Sequence, residues 1–192
     1  MPPKAKFTKN QITDTALEIL RSQGIEYLTA RALGKALGSS SRPIFTVFQS
    51  MEELKDVLIE RIKIIYHEYI QEGLNDPLPF KGVGMSYVKF AKEEPNYFNI
   101  LFATCREDIP NVEYILPMID DNYEAIINSI KASYQLSDLL SIKLYRHLWI
   151  YTHGIATLCA SKLYLFNEEE VSQMITEIAK SLLRAMKEGK IQ

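Results

Sequence analysis

The stretch TARALGKALGSSSRPIFTVFQSMEEL, residues 29–54, places a Gly, three consecutive Ser, an Arg and a Pro between two apolar segments. Ala30, Leu33 and Leu37 share one helical face, Thr29 stands where an N-cap is needed and Gly38 where a helix stops, so residues 30–37 read as a short helix. The spacing predicts a third helix over Ser40 to Val47. Ser50 with Glu53 then reads as a capping box that opens a long helix, whose apolar stripe is Met51, Leu54, Leu58, Ile62, Ile65 and Tyr69.

Upstream, Thr8 with Gln11 is a T-x-x-Q capping box, and Ile12, Ala16, Leu17 and Leu20 make the buried stripe of a first helix that Gly24 stops. Downstream, Asn75-Asp76-Pro77-Leu78-Pro79 breaks the long helix. Helices are expected at Pro79 to Lys92, at Asn96 to Phe102 and over about Asn111 to Tyr134, the last distorted at Pro117, with Arg106 to Pro110 as a loop. Residues 137–163 are apolar in nearly every direction, which requires a helix buried on more than one side. Asn167 with Glu170 caps a final helix, whose stripe is Val171, Met174, Ile175, Ile178, Leu182 and Leu183. This last pair predicts an antiparallel hairpin with a dimer surface made by Ile155, Val171, Met174, Ile175, Ile178 and Leu182.

No segment keeps the alternation of a half-buried strand, so the expected fold class is all-α. It consists of a three-helix head over residues 1–50, joined by a long helix to a helical ligand-binding and dimerisation domain over 51–192. The chain's 192 residues, 47% hydrophobic and 24% charged, suit a globular protein with a sizeable core. The N-terminus lacks the apolar core of a signal peptide, and no apolar run is long enough to span a membrane, which predicts a cytosolic (cytoplasmic) protein with no membrane partner. Cys105 and Cys159 have no CxxC spacing, so reduced thiols are expected rather than a disulfide or zinc site.

The net charge of −2 conceals an asymmetry. Residues 1–50 hold seven cations against three carboxylates, +4, and residues 51–192 hold fifteen against twenty-one, −6. A basic head on an acidic body points to an anionic partner met by the head. Two short helices joined at Gly38-Ser39 fit a helix-turn-helix, with the third helix as the reader of double-stranded DNA. Ser40, Ser41 and Arg42 would enter the major groove, where Arg pairs with guanine and Ser bonds base edges or phosphates. Phe45, Thr46 and Gln49 extend that surface, Lys9, Arg31, Lys35 and Lys55 add charge, and the helix starts at Thr29 and Ser50 offer N–H groups to phosphates. An ordinary Ser-rich surface loop is the competing reading of the same residues.

With these markers in place, residues 8–60 resemble the DNA-binding head of the TetR family of bacterial transcriptional regulators. The resemblance rests on the first helix ending at Gly24, Leu28-Thr29 leading into Leu33, Leu37-Gly38, Phe45, Phe48 and Leu54, and it is ungapped. Phe45 stands where the family usually has a phosphate-binding Tyr, Val47 where a His is frequent and Met51 where a Lys is common. Each departure removes a polar contact, for which Lys55 and the N-terminal Lys4, Lys6 and Lys9 could compensate. Residues 89–103 with 149–158 resemble the C-terminal domain that carries a W-x-x-x-H-G signature, here Trp149, His153 and Gly154. The resemblance implies a homodimeric, ligand-responsive regulator, typically a repressor released from a palindromic operator by an effector.

Phe98, Phe102, Cys105, Met118, Tyr123, Trp149 and His153 are the candidate lining of an effector site, to which Tyr97 can be added, and the same residues read equally as core packing. Such a lining predicts an apolar or aromatic effector. His153 reads as a core histidine bonded to another helix, and no His pair has the i, i+4 spacing of a metal site. No phosphate-binding Gly loop, G-x-S-x-G or H-E-x-x-H occurs, so neither an enzyme nor a cofactor is expected. The alternative function is a helical protein-interaction or small-molecule carrier module whose head no longer binds DNA.

Overall fold

The computed structural model describes residues 6–103, 116–117 and 121–191. Every regular element among the described residues is helical, so the fold is all-α. The helices are α1 (Lys9–Gln23), α2 (Ala30–Ala36), α3 (Met51–Leu74), α4 (Pro79–Glu93), α5 (Pro95–Phe102), α6 (Tyr123–Tyr134), α7 (Asp138–Ala160) and α8 (Glu168–Lys187), with 3-10 turns at Ile25–Tyr27 and Ile44–Thr46. Among the described residues no helix is long and apolar enough to cross a membrane. The chain divides into two compact units, Met1–Ile64 with Asn96–Thr104, and Ile65–Pro95 with Cys105–Gln192. The first unit therefore takes in part of α3 and most of α5 as well as residues 1–50.

In the first unit, α1 starts at the expected capping box: Thr8 Oγ1 accepts from the Gln11 N–H, and Gln11 Oε1 accepts from the Thr8 N–H. Its apolar residues Ile12, Ala16, Leu17 and Leu20 are buried with Leu33, Ile44, Phe48, Leu54, Leu58 and Phe98. Burying one such aliphatic side chain is worth about 1.5–3 kcal/mol. The Tyr97 hydroxyl donates to the Leu17 carbonyl at 3.0 Å, and Asn96 Nδ2 donates to the Arg21 carbonyl at 2.9 Å. Tyr97 thus holds α5 against α1 from within the core.

The second unit is built around α4, which packs against α6, α7 and α8. The buried stripe of α3 continues here on Tyr66 and Ile70 rather than on the expected Ile65 and Tyr69. Tyr69 instead turns outward enough to donate its hydroxyl to Glu93 Oε2 at 2.8 Å. Asp76 Oδ1 accepts from the Leu78 N–H at 2.8 Å, which closes the turn between α3 and α4. There the helices meet backbone to backbone: a Cβ on Gly73 would fall 2.6 Å from the carbonyl carbon of Gly82. Near the far end of α4, Lys92 Nζ donates to the Phe166 carbonyl, whereas Gly84 meets Ile175, so α4 and α8 run antiparallel.

The start of α8 has the expected capping box between Asn167 and Glu170. Of the helix expected over 111–134, the structure describes Tyr123–Tyr134 and residues 116–117; the expected loop at 106–110 lies outside the described residues.

Candidate functional site

The segment from Thr29 to Ser50 departs from the expected pair of helices. The first, α2, is present and ends in a Schellman motif: Gly38 sits at φ +64°, its N–H donates to the Lys35 carbonyl, and the Ser39 N–H donates to the Gly34 carbonyl at 2.8 Å. The second, expected at Ser40 to Val47, is a single 3-10 turn, Ile44–Thr46. Three features of the segment account for it. Pro43 biases the preceding Arg42 away from the helical region, Ser39 to Ser41 favour local turns over helix, and Ile44, Thr46 and Val47 are β-branched.

Gly34 brings this turn close to α2. A Cβ there would lie 2.8 Å from the Ser40 carbonyl carbon and the Ser41 nitrogen, so the two backbones touch. A Gly within a short helix, before the Gly that ends it, was the signal that could have marked this contact in advance.

Arg31, Lys35 and Arg42 are exposed and have neither ion pair nor hydrogen bond to a side chain among the described residues. Residues 29–50 contain these three cations and no carboxylate. Ser40, Phe45, Thr46 and Gln49 are exposed beside them and Ser41 is half-buried; the Thr46 hydroxyl is already donated to the Pro43 carbonyl. Lys6 Nζ donates to Ser39 Oγ at 3.1 Å, and Lys9 Nζ lies 5.3 Å from the centre of the Phe48 ring. Both charges therefore stand next to the turn; Lys4 lies outside the described residues.

Two of the groups expected at phosphates have partners within the chain. Lys55 faces Glu52 at 3.7 Å, so part of its charge is answered within the chain. The start of α3 is also occupied: Ser50 Oγ accepts from the Glu53 N–H, Glu53 Oε2 accepts from the Gln49 N–H at 2.6 Å, and Glu52 adds a second carboxylate. These carboxylates already satisfy the positive end of the helix dipole. Thr29, by contrast, caps α2 as expected, accepting from the Ala32 N–H at 3.1 Å.

A cavity of about 410 Å³ lies within the second unit, between α4, α6, α7, α8 and the end of α3. Its aromatic walls are Tyr66, Phe80, Tyr87, Tyr134, Tyr145 and Trp149. Of the candidate effector residues that the structure describes, Trp149 alone lines it. His153 stands behind the wall, its Nδ1 2.9 Å from the Tyr87 hydroxyl and its ring stacked on Trp149 at 5.0 Å. Burial holds its pKa below the usual histidine value. Tyr123 packs against Tyr145, while Phe98 and Phe102 belong to the first unit, where they pack on each other, and are not among the lining residues. Cys105 and Met118 lie outside the described residues. The cavity-lining residues that sequence reasoning missed, Phe80, Val83 and Tyr145 among them, are ordinary apolar positions of helical stripes.

The expected dimer residues divide into two groups. Ile155, Val171 and Ile175 are buried in the protomer's own core, because α7 and α8 use these faces to cover α4 and each other. Met174, Ile178 and Leu182, spaced by four on α8, stay partly exposed, as do Leu158 and, more fully, Ile150 on α7. Gly154 is exposed on α7, and a Cβ there would meet nothing within 4 Å.

The chain is 29% identical over 106 residues to the nucleoid occlusion factor SlmA of Glaesserella parasuis, which covers 53% of each chain. It is 29% identical over 107 residues to the nucleoid occlusion factor SlmA of Haemophilus ducreyi, with the same coverage. The chain thus spans about half the length of the curated relatives it matches. No family model matches it.

Proposed function

We propose that this protein is a homodimeric DNA-binding regulator of transcription, TetR-like in plan, acting in the cytosol as a ligand-responsive repressor. The observation that carries the proposal is the patch of Arg31, Lys35 and Arg42, three exposed and unpaired cations in a segment without a carboxylate. An unpaired Arg beside small Ser side chains suits base-edge and phosphate contacts in a major groove. Support also comes from two relatives named as nucleoid occlusion factors. No enzymatic role or cofactor forms part of the proposal.

Dimerisation is supported by Met174, Ile178 and Leu182 together with Gly154. A glycine within a helix costs about 1 kcal/mol relative to alanine. Nothing among the described residues requires one at 154, whereas a second helix could approach closely there. Two heads related by a two-fold axis would read a palindrome. An effector would release DNA by favouring one of two head spacings, with a coupling of about 1–3 kcal/mol.

A fluorescence titration with the duplex upstream of the coding region, against a scrambled duplex at several salt concentrations, tests the proposal. Salt-sensitive preference for the native duplex of about a hundredfold supports it. Arg42→Ala should weaken the native site far more than the scrambled one, and equal loss on both would remove Arg42 from base reading. The second reading, a carrier or interaction module, is favoured by the single turn in place of a reading helix. Failure of a random-sequence selection to yield any preferred duplex would decide for it.

A further inference from the structure

We infer that the effector site takes an amphipathic carboxylic acid, with its apolar body among the aromatic side chains and its acid group at a two-lysine mouth. This inference rests on the ligand-responsive reading and goes beyond the apolar or aromatic effector expected from sequence. Among the described residues, the cavity lining includes two cations, Lys81 and Lys180, and no carboxylate. Neither lysine has an ion pair among the described residues. An uncompensated pair of cations beside an otherwise apolar cavity favours a ligand that brings one negative charge.

The two lysines lie at one end. Gly84 of α4 meets Ile175 of α8, and the helices are antiparallel. Lys81 is three residues before Gly84 and Lys180 five residues after Ile175, so both are displaced the same way, by about 4.5 and 7.5 Å at a 1.5 Å rise. At this end Leu78 and Lys180 are exposed over the buried Phe80 and Tyr145, while Val83, Tyr87 and Thr152 further along are all buried. The charged end is therefore the mouth and the apolar end the interior, the polarity an amphipath needs. Tyr134 and Tyr145, which pack on Phe80, add phenols at the same end. The Tyr134 phenol, whose pKa burial raises further above its ordinary value, is protonated at neutral pH and can donate a hydrogen bond to a carboxylate.

At the roughly 30 Å³ that a water-sized unit occupies, the cavity accommodates about fourteen non-hydrogen atoms, the size of a twelve-carbon acid. The molecule carries its own reporter, because its single Trp is Trp149, in the cavity wall. Full-length protein is titrated with dodecanoate, dodecan-1-ol and dodecylammonium, each below its micelle concentration, following Trp149 fluorescence. The expected order is dodecanoate tighter than the alcohol by about tenfold or more, with the ammonium weakest. In Lys81→Gln/Lys180→Gln the acid should fall to within about twofold of the alcohol while alcohol binding persists, which also reports that the cavity remains folded. Equal binding of acid and alcohol, preference for the ammonium, or no saturable change with any probe would overturn the inference. Repeating the DNA titration with each probe separates the two levels. Acid binding without any effect on DNA would sink the ligand-responsive reading alone, whereas release of DNA by the alcohol in preference to the acid would sink the choice of ligand alone.

Discussion

A methyl group at position 34 would press on the backbone of Ser40 and Ser41, which has no flexible end to move aside. Gly34→Ala should therefore destabilise the first unit by about 1–3 kcal/mol in denaturant titration, as overpacking does. It should also displace the turn carrying Arg42 and weaken DNA binding. His153 has a comparable specificity of place in the second unit. Its pKa is lowered by burial, so between that value and the unfolded one of about 6.5 the unfolded chain binds more protons. Its contribution to stability is thus complete above pH 6.5 and is lost as pH falls below it. Denaturant midpoints measured from pH 8 to pH 5 should drop over that window in the wild type and drop less in His153→Gln. The wall position of Trp149 was within reach of sequence reasoning because aromatic residues mark interiors. That Lys81 and Lys180 line one cavity was not, because they stand on two helices far apart in the chain.

Helix starts were the most legible elements. Thr8 with Gln11 and Asn167 with Glu170 each satisfy two N–H groups through side chains three residues apart, a purely local interaction that a sequence displays in full. Asn167→Ala should accordingly cost about 1 kcal/mol, read as a lower denaturant midpoint with an unchanged m-value. The box expected at Ser50 is shifted by one residue, with Glu53 reaching the Gln49 N–H. Residues 40–47 were the least legible. Their apolar residues have helical spacing, but spacing says which face would be buried, not whether backbone hydrogen bonds can form. Pro43 and the β-branched residues settle that question in favour of a 3-10 turn.

At the scale of the whole molecule, periodicity located the stripes of α7 and α8 without dividing them between inner and outer faces. That division depends on α4, which occupies the inner side and takes Ile155, Val171 and Ile175 into the protomer. The outer residues Ile178 and Leu182 stay partly exposed, and the proposed dimer would bury them. Replacing both with Glu should give a folded monomer by light scattering, with an unchanged helical circular dichroism spectrum. A dimer of unchanged mass would move the interface elsewhere. Loss of DNA binding in the monomer at protein concentrations where the wild type binds would connect the two faces, because a single head reaches only half of a palindrome.

The backbone contact between Gly73 and Gly82 also constrains how this lineage can drift. Either glycine alone excludes a side chain at the other position, so no first substitution is neutral and no second one repairs it without parting α3 from α4. Among diverging descendants the two should be retained or lost as a pair, together with the turn between them. The spacing of two small residues nine positions apart across a Pro-containing turn is then a heritable mark of this helix crossing, readable where overall identity has faded.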